Sequence, residues 1–165
     1  LLIIFKIQHY FKYNDLSLLI YTTKYLTTKN NIFIFITFVF IKDFIIGSKL
    51  ICGIILSRTS NYYIKNYYKA LRPYNKFPGA IKYFKKKKKY SYSFPSQSIQ
   101  NITIIYYIIC PTNYYIILLY WFVISSLSIT RLYRGLHYPH DIVFSYILCK
   151  YYASLINYLF NKGMI

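Results

Sequence analysis

Two apolar runs, Ile99 to Cys110 and Tyr114 to Ile129, are separated by only Pro111-Thr112-Asn113. A helix crosses the hydrocarbon core of a bilayer with about 20 residues, and a Pro/Asn turn between two such runs reverses the chain. The pair therefore reads as a helical hairpin that enters a membrane and returns. The consequence is topological. Ser96, just before the hairpin, and Arg131, just after it, must emerge on the same side.

Composition agrees with membrane residence. Hydrophobic residues make up 56% of the 165 and aromatic residues 22%, while only three acidic side chains are present, a balance unlike that of a soluble surface. The net charge of +18 raises nucleic acid as a partner, but the basic residues are threaded among apolar runs that a soluble nucleic-acid binder would have to bury. No nucleic-acid partner is expected. Part of the bias is what an AT-rich coding sequence produces in Ile, Lys, Asn, Tyr and Phe. The length fits a single domain, residues 1–165, with a motif-bearing core at about 32–160. Cys52, Cys110 and Cys149 all sit in apolar runs without metal-ligand spacing and read as buried small hydrophobes.

The chain opens on Leu1 without a methionine, and an N-terminally truncated start is expected. Residues 1–12 and 17–27 are apolar but interrupted, as remnant membrane helices or interfacial segments would be. The first long apolar block, Ile32 to Leu56, is broken at Lys42-Asp43 and fits either one helix with an internal ion pair or two shorter helices. Between Arg58 and Pro95 the chain turns polar and carries eleven Lys or Arg, including the run Lys85 to Lys89, so it belongs at a membrane surface. A last apolar run extends from Ile142 to Phe160, with Lys150 needing a neighbour or a path to the interface.

Three polar clusters then meet at one membrane face. Lys65 and Arg72 are seven residues apart, two helical turns, and project from one face. With Arg131 they make a pocket for a dianion such as phosphate, which guanidinium groups bind bidentately. Ser96 follows Pro95 at a helix start, where its hydroxyl and the free backbone N–H groups suit an anion. His137 and Asp141 are four apart, with Pro139 between them at a helix-starting position, so the carboxylate can hold the imidazole in one orientation. From the residues alone this is a phosphate site with a histidine nucleophile or base beside it.

Lys65-x6-Arg72-Pro73, Pro95-Ser96 and Arg131-x5-His137-x3-Asp141 together resemble the three-part signature of the type 2 phosphatidic acid phosphatase superfamily, which includes vanadium haloperoxidases and bacterial acid phosphatases. Thr130 stands where Ser is usual. The short distance between the first two parts is most similar to the sphingoid base phosphate phosphatases. The resemblance implies an all-α, polytopic transmembrane bundle with a six-helix active-site core. It also implies hydrolysis of a lipid phosphomonoester, either a sphingoid base 1-phosphate or phosphatidic acid. In it His137 attacks phosphorus, Asp141 orients it, and Lys65, Arg72, Ser96, Gln97 and Arg131 hold the phosphate oxygens. No metal or other cofactor is implied. The expected partners are the lipid phosphate and the surrounding membrane lipids, in the endoplasmic reticulum membrane with the active site lumenal, although the positive-inside rule would make the basic side cytoplasmic.

The second part departs from the pattern. The family reads Pro-Ser-x-His, its histidine protonating the leaving alkoxide; this chain reads Pro95-Ser96-Gln97-Ser98. Ser98 cannot act as an acid near neutral pH, and general-acid help is worth roughly 10²–10⁴-fold in rate. The alternatives are an impaired enzyme, one that uses another group, of which His140 is the nearest in sequence, and a silent relative that binds lipid phosphates. A surface role is expected for Arg134, and no glycosylation at Asn101.

Overall fold

The computed structural model describes residues 2–10, 13–78 and 92–163. Among these the chain is helical: α1 Leu2–Tyr10, α2 Tyr13–Leu26, α3 Lys29–Lys42, α4 Phe44–Tyr68, α5 Pro73–Lys76, α6 Gln97–Ile109, α7 Tyr114–Tyr133 and α8 Pro139–Asn161. The lysine run at 85–89 lies outside the described residues.

The break at Lys42-Asp43 makes two helices, not one. Asp43 sits in extended backbone between them, and its carboxylate accepts from Ile46 N–H at 2.9 Å, capping α4. Its charge serves the first turn of the helix it starts. The two helices then cross closely: a Cβ added to Gly47 would lie 2.4 Å from the Phe40 Cα, so only glycine fits at that position.

The expected helix–turn–helix is present as α6 and α7, although α6, at 13 residues, is shorter than the roughly 20 that span a bilayer. Cys110 ends α6 in the left-handed region, at φ 46°, and the Asn113 side chain caps α7 by accepting from Tyr115 N–H at 2.9 Å. Thus the turn residues do the work that their chemistry suggests. One expectation for this turn fails: Cys110 is exposed, because it occupies the turn itself and not the packed run before it. Cys149 is buried as expected.

Six helices of thirteen residues or more form the bundle, with α6 packed against α4, α7 and α8. One core joins Ile32, Ile36, Leu50, Ile54, Ile104, Ile108, Cys149 and Ala153 across α3, α4, α6 and α8. A second, at α6 and α7, holds Ile99, Tyr120, Ile124 and Leu127. Large apolar side chains also cover the outside, among them Phe33, Phe38, Ile55, Leu119, Phe122 and Ile147. A bundle that is apolar within and without suits a hydrocarbon surround. Two helices, α7 and α8, are long and apolar enough to cross a membrane. Lys150 on α8 finds its neighbour in Tyr107, its ammonium 5.7 Å from the ring centre.

Successive long helices alternate in direction, and one end of the bundle collects the chemistry. There lie the C-terminal ends of α2, α4 and α7 and the N-terminal ends of α3, α6 and α8. Hydrogen bonds between Thr23 and Thr130 hydroxyls, and from Arg131 to Thr27, fix α2 against α7 at this end.

Candidate active site

The last turn of α7 presents Arg131, and the turn after it returns the chain toward α8. Gly135 adopts φ 58°. Its N–H donates to Leu132 O at 2.9 Å and Leu136 N–H to Arg131 O at 3.0 Å, the paired bonds of a Schellman cap. A side chain at this position would be strained, so the glycine is what allows α7 to stop sharply. His137 follows two residues later and is 5% exposed.

α8 then starts at Pro139, with Asp141 in its first turn. The Asp141 Oδ2 accepts from Tyr138 N–H at 2.9 Å, so a helix-end donor holds the carboxylate in place. The same oxygen lies 3.5 Å from His137 Nδ1. That is an ion-pair distance and too long for a good hydrogen bond, and Nδ1 has no other partner. With Nδ1 turned to the carboxylate, Nε2 is the nitrogen left for a ligand. On the other side of Asp141, His140 Nε2 is 3.1 Å from Oδ1, and its side chain is 70% exposed. The nearest replacement for the missing acid therefore already engages the carboxylate.

The cations come from separate elements. Lys65 lies on the last turns of α4, beyond the apolar part of that helix, and donates to Tyr92 O at 3.0 Å. Lys69 ends α4 in the left-handed region, and Arg72 opens α5, with its Nη1 donating to Leu136 O at 3.2 Å. The backbone around them is stitched together by an antiparallel bridge between Leu71 and Tyr92, by Ser93 N–H to Ala70 O, and by Tyr74 N–H to Gly135 O at 3.2 Å. Arg131 Nη2 donates to Ser98 Oγ at 3.0 Å and to Thr27 Oγ1 at 3.1 Å, while its Nε is buried without a partner.

Lys65, Arg72, Arg131, Ser98, His137 and Asp141 are thus brought to one place, with Arg134 beside Arg131. Asp141 is their sole described acidic neighbour. Asp43 stands at the opposite end of α4, about 33 Å away at 1.5 Å per residue. A half-buried group of cations facing one described carboxylate is built for an anion.

The environment sets the protonation states. Burial, reinforced by Arg72 and Lys65 and opposed by Asp141, lowers the His137 pKa to about 4. The imidazole is neutral at physiological pH and keeps its Nε2 lone pair. Burial first, then Arg72, lowers Lys65 to about 8, against the pull of Asp141.

Several expectations need correction. The Ser96 N–H is not free for an anion; it donates to Ser145 Oγ at 2.6 Å, and the Ser96 hydroxyl is buried. Gln97 turns its amide away from Arg131, to Asn101 Oδ1 at 2.9 Å and Ser57 Oγ at 3.4 Å. Both departures have one cause: α6 rotates so that Ser98, two residues on from Ser96, faces Arg131. Arg134 is not at the surface but 8% exposed, turned inward by the tight turn after α7. Asn101 is buried.

Thr27 and Ser145 were missed. No sequence signal points to Thr27, a hundred residues from its partner. Ser145 does carry one, since it lies four residues after Asp141 and so on the same face of α8. Among the described residues no three His, Cys, Asp or Glu side chains converge as a metal-ligand set.

The family profile described as PAP2 superfamily, the type 2 phosphatidic acid phosphatases, matches residues 46–165, well over half of the chain. The chain belongs to the PAP2 superfamily. All three polar clusters, from Lys65 to Asp141, fall within the matched range, whereas α1, α2 and α3 precede it. Neither a curated protein nor a solved structure shows significant similarity to the chain. Membership of the PAP2 superfamily supports a phosphatase type of function in general and association with a membrane.

Proposed function

We propose that this protein is a membrane-embedded lipid phosphate phosphatase that works through a phosphohistidine. The observation that carries the reading is the convergence of Lys65, Arg72 and Arg131 on His137, itself paired with Asp141. His137 Nε2 attacks phosphorus, a P–N bond forms and the P–O bond to the lipid alkoxide breaks. The three cations stabilise the charge spread over the phosphoryl oxygens. Asp141 balances the positive charge that the imidazole gains on phosphorylation. The leaving alkoxide takes a proton from water, because Ser98 cannot supply one. A second water then hydrolyses the P–N bond and frees phosphate and His137.

The substrate proposed is a sphingoid base 1-phosphate or phosphatidic acid. The compartment proposed is the endoplasmic reticulum membrane, with the active-site end lumenal. Both follow from the family resemblance. A cysteine at Lys87, probed with an impermeant thiol reagent, tests sidedness: labelling from the cytosol would overturn the lumenal assignment.

One observation favours a second reading. Ser98 stands where the family has its acid and is hydrogen-bonded to Arg131, as in a site that binds without turning over. Purified protein incubated with radiolabelled lipid phosphate separates the two. The enzyme releases phosphate and transiently carries acid-labile label, and both are lost in His137→Ala. Binding of the lipid with neither release nor covalent label would establish the silent binder.

A further inference from the structure

On the side of the bundle an open apolar groove of about 600 Å³ is lined by the exposed Tyr25 and Leu26 of α2, Phe35 and Phe38 of α3, and by Ile32 of α3 and Ile102 of α6, among others. A second cavity of about 230 Å³ adjoins it, sharing Phe35, Ile102, Ile105 and Val123, and reaches Ile109 and Pro111 at the far end of α6. Together they form one groove along α6, with α3 on one flank and α7 on the other. Its size falls in the range of small-molecule sites.

The groove is continuous with the phosphate cluster at two points. Leu26 is followed by Thr27, the acceptor of the Arg131 guanidinium. Ile102 lies four residues after Ser98, the other acceptor, and therefore on the same face of α6 one turn deeper. The two hydroxyls that hold Arg131 thus frame the mouth of the groove. A third apolar cavity of about 410 Å³, between α7 and α8 with Trp121, Ser125 and Tyr146 in its lining, meets the cluster only through Ile99, beside Ser98, and Ile142, beside Asp141, and has no lining residue next to Thr27.

We propose that the groove between α3, α6 and α7 binds the hydrocarbon chain of a lipid whose phosphate sits on Arg131. The proposal rests on the phosphate-site part of the reading above but not on turnover. A hydrocarbon chain gains little by leaving lipid for an equally apolar groove, so the groove acts by shape, fixing where the chain runs and how far the headgroup can shift. The α2 and α3 walls precede the residues matched by the PAP2 superfamily profile, so this part of the chain would supply the chain-recognition surface.

The test is photocrosslinking of the full chain in nanodiscs. The probe is a long-chain phosphatidic acid with a diazirine midway along one chain; a diacylglycerol with the same diazirine serves as control. Crosslinks from the phosphatidic acid are expected on Ile102 or Ile105, the half-buried groove residues of α6, and to fall at least about tenfold in Arg131→Ala. The diacylglycerol is expected to label the outside of the bundle. Ile105→Trp, which fills the groove away from the phosphate cluster, is expected to abolish the groove crosslinks, and Ser125→Trp, in the other cavity, to leave them intact. Equal groove labelling by both lipids, or labelling sensitive to Ser125→Trp and not to Ile105→Trp, would overturn the proposal. Loss of catalysis alone would not, because crosslinking needs no turnover. Phosphatidic acid that labels no groove residue although a filter assay shows it bound would defeat the groove and leave the phosphate site standing.

Discussion

The guanidinium of Arg131 donates to the hydroxyl of Ser98 across 3.0 Å, joining the end of α7 to the beginning of α6. The bond puts residue 98 against the group that would hold the phosphate, which is where a proton donor for the leaving oxygen is needed. Ser98→His is therefore expected to raise the rate of phosphate release by at least about tenfold, toward the 10²–10⁴ that general-acid catalysis supplies. Phosphate release from phosphatidic acid by purified variant and wild type measures it. An unchanged or lower rate, with lipid binding intact, would show that position 98 does not face the leaving group.

Protonation sets the working pH. His137 attacks only when neutral, so activity is lost as pH falls through about 4. Lys65 binds phosphate as a cation, and its lowered pKa means that this charge is lost as pH rises through about 8. The pH dependence of kcat/KM, which reports the free protein, is expected to be bell-shaped between these limits. Lys65→Arg, which stays charged, should move the alkaline limb upward and leave the acid limb in place.

Gly135 permits the turn that delivers His137. Gly135→Ala forces a side chain into left-handed backbone at φ 58°, at a cost of about 1–2 kcal/mol. A lower thermal unfolding midpoint in detergent is the expected result. A substitution that leaves the midpoint unchanged would mean that the turn relaxes without strain.

Ser145 ties the two catalytic helix starts together. Its hydroxyl accepts from Ser96 N–H and donates to Asp141 O, joining the first turn of α8 to that of α6. Ser145→Ala leaves a buried N–H without an acceptor, costing about 1–3 kcal/mol. Unfolding in detergent measures this loss, and a fall in kcat larger than any change in KM would mark the displacement of Asp141 from His137.

Features confined to neighbouring residues were legible in the chain. The Pro111-Thr112-Asn113 turn, the placement of Arg131 on the same side as the α6 start, and Pro139 at the opening of α8 all follow from local chemistry and helix length. The helical spacing of Lys65 and Arg72 misleads, however: α4 ends at Tyr68, Lys69 turns left-handed and Arg72 opens α5, so the two cations meet through the turn between the helices and not along one helical face. What escaped depends on how one helix is rotated against another. The α6 rotation selects Ser98 over Ser96 and Gln97 as the partner of Arg131, and α6 is apolar enough on several faces that periodicity does not choose. Asp43 was ambiguous for another reason: an acid beside a lysine in an apolar block can pair with it or cap a helix, and only the extended backbone at 43 decides for the cap. Thr27 reaches Arg131 across a hundred residues, with no pattern to announce it.

The lopsided charge of the site has a final consequence, for the end of the reaction cycle. Among the described residues Lys65, Arg72 and Arg131 face a single carboxylate, and nothing in that balance distinguishes the phosphate of a lipid from the free ion left after hydrolysis. On the phosphatase reading, inorganic phosphate is then a competitor, and its departure into water, aided by counterions at higher ionic strength, sets a ceiling on turnover that faster bond cleavage cannot lift.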